Sequence, residues 1–522
     1  MVVFLSGIAL LVLGYFIYGR LTASSVRPDP ARPTPALRLA DGVDYVAMPS
    51  WRVYLVQLLN IAGLGPVFGP IMGALWGPQV FLWIVLGAVL GGAVHDFMAG
   101  AMSVRNDGAG LPALIGHYLG RHARKLATFF ILLLMILVGT VFVKAPAALI
   151  INMLPAETAF GWAGPDAVAL LESSWQDLPL WQWLVMTLIF VYYLVATLLP
   201  VDKVIGRVYP FFAMALLVMV AGLAGAMIFG DMSPPAFTLQ NLHPQDVPAW
   251  PIIFITVSCG AISGFHATQS PMMARCLNNE RHLQPVFYGA MIAEGLIALI
   301  WASAAQGHYG GVAGLAAALG PELNRAAVVV HTICTETMGT FGGVLAVLGV
   351  IVLPITSGDT AFRVARLILG DALGLDQARP RKRLLLALPL FGLSLLLMFL
   401  PFGVIWRYFG WANQTLAAVA LWTAAVFLAR RASRWWLAAL PATFMTVMTV
   451  TFILVERRAK GCLGLDPTAG SLIGLGVGAA ALGLFLWQRP KLPPEADAPV
   501  ESLRTADDLA RDIERQGDGL AC

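Results

Sequence analysis

Two stretches of this chain set helix-breaking residues inside otherwise apolar sequence. The first reads Asn60-Ile61-Ala62-Gly63-Leu64-Gly65-Pro66-Val67-Phe68-Gly69-Pro70, the second Ser258-Cys259-Gly260-Ala261-Ile262-Ser263-Gly264-Phe265-His266. Proline removes a backbone donor and glycine admits non-helical angles, so both segments are expected to unwind, near 63–70 and 258–265. Unwound backbone is tolerated in a bilayer only where protein or a water-filled cavity satisfies it. Its freed N–H and C=O groups, with the half-helix dipoles, can then ligate a small solute or ion. That chemistry makes Gly63, Gly65, Pro66, Gly69, Gly260, Ser263 and Gly264 candidate substrate-binding positions. Close helix packing is the plainer use of such glycines, but the Pro66 and Pro70 pair is more than packing needs.

Few ionisable residues lie inside the apolar runs, and each is a functional candidate by default. Thr356, Asp359, Thr360 and Arg363 stand at i, i+3, i+4 and i+7, so they share one helical face. Asp359 precedes Arg363 in the favourable order for a side-chain pair. Thr356, Ser357, Asp359 or Thr360 could hold a coupling ion or take its proton; a structural Asp–Arg pair is the alternative. His266, a further substrate-binding candidate, could bond a carboxylate or shuttle a proton, or could be a buried histidine bonded to a carbonyl. His95 and Asp96 allow a proton relay or a cytoplasmic gate pair, and two ligands do not make a metal site. Lys144 would attract an organic anion or snorkel to the outer interface. Glu294 is an isolated acid for which interior pairing is the default.

Such residues have to be held by membrane-spanning helices. The chain has 522 residues, 58% hydrophobic and 12% charged, where a soluble protein is about a quarter charged. Hydrocarbon ~30 Å thick needs about twenty apolar residues per span, and about thirteen such runs are present. They lie near 2–18, 52–76, 79–103, 124–152, 181–199, 208–230, 249–272, 284–306, 340–369, 383–400, 410–429, 434–455 and 470–488. Alternate loops are basic: Arg20 to Arg38, Arg105 to Lys125, Lys203 and Arg207, Arg275 and Arg281, Arg379 to Arg383, and Arg430 to Arg434. This bias sets the N-terminus outside and the C-terminus in the cytoplasm, with Arg457, Arg458 and Lys460 as one dissenting loop.

The organisation that follows is an extra helix and cytoplasmic loop at 1–51, five helices at 52–230 and five more at 249–429. Two peripheral helices at 430–489 and a solvated cytoplasmic tail at 490–522, helix-like near Leu503–Ile513, complete it. Each set of five is headed by a broken helix and enters from the opposite side, as in an inverted repeat with its site at the centre. Val312–Leu319 and Asn324–Thr335 read as short interfacial helices outside. The net charge of +4 is spread over loops and points to no nucleic acid, and the five cysteines form no CxxC pair. GxxxxGK[ST], HExxH and GxSxG runs are absent from the sequence, so neither ATP-driven pumping nor those enzyme classes are indicated.

The chain resembles the carbon starvation protein (CstA) family. The resemblance rests on the Gly-x-Gly-Pro-x-x-Gly-Pro run at 63–70, His95-Asp96-Phe97, the 259–266 run, Thr356-Ser357-Gly358-Asp359-Thr360 and Trp411-Ala412-Asn413-Gln414. It implies an all-α membrane fold similar to the amino acid–polyamine–cation superfamily, with a LeuT-like five-plus-five inverted repeat. It also implies uptake of pyruvate coupled to protons or, by older assignment, of peptides. The expectation is a secondary transporter in the cell inner membrane that imports a small carboxylate, pyruvate first, by proton symport with alternating access. Sodium is the other coupling ion to consider, no cofactor is expected, and oligomeric state is left open. A peptide transporter, a nutrient sensor acting through the tail and an intramembrane enzyme are the alternatives.

Overall fold

The computed structural model describes residues 1–42, 45–176, 178–198, 202–230, 232–320, 325–375, 380–456 and 462–495. Helices occupy every expected apolar stretch. Among the described residues, nine helices are long and apolar enough to cross a membrane alone, or ten with one bent pair counted as a span. The shortfall from thirteen has physical causes. Leu353–Leu373 carries Asp359, Arg363 and Arg366, Pro380–Leu397 begins on Arg381, Lys382 and Arg383, and Ala249–Thr256 is cut short by a break. The chain is a multi-pass, all-α membrane protein.

The bent pair is the first broken helix, Ser50–Ile61 and Gly65–Trp76, meeting at 48°. Its unwound part is Ala62 to Leu64, narrower than the 63–70 expected. Pro66 sits in the first turn of Gly65–Gly73, where a missing N–H has no intrahelical partner to lose, so it starts the half-helix instead of disrupting it. The second broken helix is Ala249–Thr256 and Gly264–Ala274, with Val257 to Ser263 non-helical between them. Gly260 there has φ +87°, a left-handed angle that glycine adopts without a steric penalty.

Ser50–Ile61 packs on Gly264–Ala274, and Gly65–Gly73 packs on Ala249–Thr256. The two broken helices therefore run antiparallel with their breaks at one level, and a Cβ added at Gly65 would run into Cys259. A third irregular segment meets them. The helix Val80–Gly87 passes through a π turn, Ala88–Gly92, into Ala93–Arg105, and a Cβ at Gly92 would run into the Ala261 carbonyl. π turns mark functional positions more often than chance, and this one delivers His95 and Asp96 a turn further on.

Val312–Leu319 is a helix with the expected bounds. The other expected short helix starts at Ala326 and continues through a kink at Gly339 (φ 64°) to Ala346. A π segment, Val347–Val352, then leads into Leu353–Leu373. A small hairpin, Ser174–Trp175 with Leu178–Pro179, was not anticipated.

Four of the basic loops meet on one face. Arg105 reaches Glu280 at 2.7 Å, Arg38 pairs with Asp107, Arg275 donates to Gly108 O at 3.0 Å and Arg434 to Ser24 Oγ at 2.6 Å. Arg379, Arg457, Arg458, Lys460, the side chains of Lys203 and Arg207, and the helix-like 503–513 lie outside the described residues. Among the described spans the first and last are mostly uncovered, 28% and 22% buried against 83% for Val80–Arg105.

Candidate functional site

Asp96 stands at the centre of a fully buried chain of titratable groups. His95 Nδ1 lies 2.8 Å from Asp96 Oδ1, and His266 Nδ1 lies 2.9 Å from Asp96 Oδ2. On its other side His266 Nε2 faces Glu294 Oε2 at 3.4 Å. Three helices contribute the four residues, Ala93–Arg105 two of them and Gly264–Ala274 and Gly289–His308 one each, and all four are at most 1% exposed.

The geometry sets the proton inventory. Ionised Asp96 only accepts, so both imidazoles donate from Nδ1. A neutral His266 then presents a bare Nε2 to the Glu294 carboxylate, and two lone pairs would repel. A proton on either His266 Nε2 or Glu294 Oε2 removes that repulsion. Cys259 Sγ belongs to the same neighbourhood, its thiol, a His266 nitrogen and a Glu294 oxygen lying within 4.8 Å of one another. Three such groups fall short of the four ligands of a structural zinc site, and the two His266 nitrogens already face a carboxylate each.

Side chains also satisfy the backbone freed by the second break. Trp83 Nε1 donates to Val257 O at 2.7 Å. Phe265 N donates to Asn413 Oδ1 at 2.7 Å, and Gln414 Nε2 donates to Phe254 O at 2.8 Å. Asn413 Nδ2 reaches Ser263 Oγ at 3.1 Å. Asn413 and Gln414 entered the sequence reading only as a motif without a role. Their function as surrogate backbone partners could have been sought by asking what satisfies the break.

Around the first break the pattern reverses. Among the described residues no side chain hydrogen-bonds the backbone of Ala62, Gly63 or Leu64. Gln57 Nε2 and Oε1, Asn60 Nδ2, Ser357 Oγ and Asp359 Oδ1 are buried there or nearby without a hydrogen-bond partner. A Cβ at Gly63 would lie 3.8 Å from Ser357 Oγ, which puts the Leu353–Leu373 helix beside the break. Asp359 pairs with Arg363 at 3.3 Å, and Arg363 Nη2 also donates to Ala196 O at 3.0 Å. Thr360 is buried on the same helix, and the side chain of Thr356 lies outside the described residues.

Lys144 is elsewhere. Its Nζ donates to Met398 O at 2.8 Å and to Leu400 O at 2.6 Å, so the ammonium caps the end of Pro380–Leu397. Cations at that end of a helix complement its dipole.

The geometry is that of a multi-pass helical membrane protein in which two antiparallel broken helices meet beside four buried titratable side chains. The chain belongs to the carbon starvation protein CstA family, whose model matches residues 1–163, 163–338 and 308–452. It is 43% identical to an uncharacterized membrane protein of Haemophilus influenzae over 58% of this chain and 90% of that one. It is 27% identical to the peptide transporter CstA of Campylobacter jejuni over 85% of this chain and 78% of the relative. It is 29% identical to the pyruvate/proton symporter BtsT of Escherichia coli over 56% of this chain and 47% of the relative.

Proposed function

We propose that this chain is a secondary active transporter that imports a small carboxylate, pyruvate first, by proton symport with alternating access. Its ten central helices are read as a LeuT-like inverted repeat, 52–230 and 249–429, in the inner membrane with the N-terminus outside and the C-terminus in the cytoplasm. The observation that carries the reading is the meeting of two helix breaks beside a fully buried proton-holding chain. Solute contacts belong to the first break, at Gly63, Gly65, Pro66 and Gly69, whose surroundings keep unpartnered polar atoms. Gly260, Ser263, Gly264 and His266 form the facing wall.

Proton exchange belongs to His95, Asp96, His266 and Glu294. Bringing an anion alone into a cell is opposed by about 2.3 kcal/mol per 100 mV of inside-negative potential. One proton carried with a monocarboxylate cancels that charge, so only the solute and proton gradients drive the step. Should uptake prove sodium-driven, Thr356, Ser357, Asp359 and Thr360 beside the first break are the place for the ion.

Peptide uptake is the second reading, favoured by the name of the relative aligned over 85% of this chain. The deciding experiment is labelled pyruvate uptake into proteoliposomes under an inward proton or sodium gradient, with di- and tripeptides as competitors. Concentrative pyruvate uptake driven by protons supports the proposal. Absence of pyruvate movement under either gradient rejects pyruvate, and concentrative dipeptide uptake in the same vesicles establishes the second reading.

A further inference from the structure

A second polar site lies away from the buried chain, at the Gly73 end of the first broken helix. A cavity of about 210 Å³ opens there between Met72, Leu75 and Trp76 of one broken helix and Ile252, Ile255 and Thr256 of the other. Its remaining wall includes Phe402, Trp406 and Arg407, at the start of Phe402–Arg430. Arg407 is the one lysine or arginine among the lining residues. Its Nη1 is buried without a hydrogen-bond partner, and among the described residues no ion pair reaches it.

Arg407 is half-buried, and its Nη1, shielded from water with no hydrogen-bond partner, argues that an acceptor belongs beside it. The guanidinium fork matches a carboxylate in two parallel hydrogen bonds. The surroundings supply what a transient anion site needs. Trp406 stacks on Phe402 with centroids 5.7 Å apart, and Trp76 is tied to Val247 O at 2.8 Å, so fixed aromatic rings form the wall next to the cation. The volume falls below the roughly 300–1,000 Å³ of pockets for drug-sized ligands, which suits a solute of a few heavy atoms. Glu456 also lines the cavity and has an interaction of its own. Its presence disfavours a second negative charge and selects monocarboxylates over dicarboxylates.

We propose that Arg407 captures the carboxylate of the solute in this cavity before it reaches the helix breaks. The inference rests on the transport reading for its place in the cycle, but binding at Arg407 can be read without transport. The carboxylate could belong to a free monocarboxylic acid or to the C-terminus of a short peptide.

The test follows phenylglyoxal modification of Arg407 by peptide mass spectrometry in the full-length protein in proteoliposomes. Pyruvate, alanyl-alanine and pyruvamide, a neutral analogue of pyruvate, are the added solutes. A carboxylate at twice its dissociation constant should slow modification about threefold. Protection by pyruvate alone assigns the site to a free acid, and protection by alanyl-alanine alone assigns it to a peptide terminus. Equal modification in all samples, or equal protection by pyruvamide, overturns the proposal. In parallel, Arg407→Gln should raise the KM for uptake about tenfold with turnover unchanged, and Arg407→Lys should raise it less. An unchanged KM in Arg407→Gln overturns the capture role. Protection of Arg407 in a protein that moves neither solute would uphold the site while removing the transport reading.

Discussion

The two helix breaks are built differently. At the second, three side chains from two other helices, Trp83 from one and Asn413 and Gln414 from another, occupy the backbone groups around the non-helical stretch. At the first, no described side chain bonds the unwound backbone, and several buried polar atoms beside it have no partner. A saturated break is a fixed wall, because moving it would cost several buried hydrogen bonds at once. An unsaturated one is stable in a membrane only when something else fills it. The charges differ in the same sense. Histidine and carboxyl groups, all able to exchange a proton, meet at the second break. Beside the first stands an ion pair whose guanidinium, bonded to Ala196 O, does not exchange one. The division suggested is a solute-holding break facing a proton-holding one.

The strongest way to break that division is Asp96→Asn or Glu294→Gln. Under an inward gradient of one pH unit, one proton per solute sustains about a tenfold accumulation, since 1.4 kcal/mol is a factor of ten. In either variant the accumulation ratio is expected to fall to about one, a tenfold effect on that scale. Exchange of labelled for unlabelled solute without a gradient should persist. Retained accumulation in both variants would remove the second break from proton coupling.

A smaller effect separates the breaks mechanically. Gly92→Ala would drive a methyl group into the Ala261 carbonyl, a backbone atom of the saturated break. It is expected to cost about 3 kcal/mol of stability or to prevent folding, read as a lowered melting temperature in detergent. Gly63→Ala meets side chains alone, the edge of the Phe142 ring at 3.0 Å and Ser357 Oγ at 3.8 Å, and should stay within about 1 kcal/mol of wild type. Equal melting shifts would contradict the contrast in rigidity.

How far this was legible in the sequence depends on distance along the chain. The breaks could be read because Pro66, Gly63 and Gly260 act locally, and the Asp359–Arg363 pair because its spacing is one helical turn. The first break was read too wide because a proline in a helix's first turn and one that unwinds it look alike in sequence. The Asp96–His266 bond joins residues 170 positions apart. Apolar periodicity assigns a residue to a helix but not to the neighbour it will face, so Glu294 stayed an isolated acid until three helices were packed together. Asn413 was obscure for the same reason, its partner at Phe265 being 148 positions away.

Lys144→Met sharpens the contrast from outside both breaks. Losing two bonds from an ammonium to the Met398 and Leu400 carbonyls should cost about 2 kcal/mol of stability. KM for the solute should not move, because the ammonium is committed to a helix end. A raised KM with unchanged melting would return Lys144 to the solute path and weaken the assignment of anion capture to Arg407.

The smallest expected effect is the most discriminating for the first break. Asp359→Asn keeps the side chain's shape and leaves Arg363 bonded to Ala196 O, so the helix should hold. What is lost is a carboxylate whose Oδ1 is buried without a hydrogen-bond partner, within the stripe beside Gly63. With proton coupling seated at Asp96 and Glu294, accumulation under a pH gradient should persist in this variant. Turnover should fall no more than about threefold, a change below 1 kcal/mol in the barrier. The same vesicles under a sodium gradient give the converse. Sodium-driven accumulation that disappears in Asp359→Asn while pH-driven accumulation is absent from wild type would place an ion at the first break, next to the solute. Coupling would then run through the unsaturated side, and the buried histidine–carboxylate chain would be left as the structural clamp that keeps the second break still.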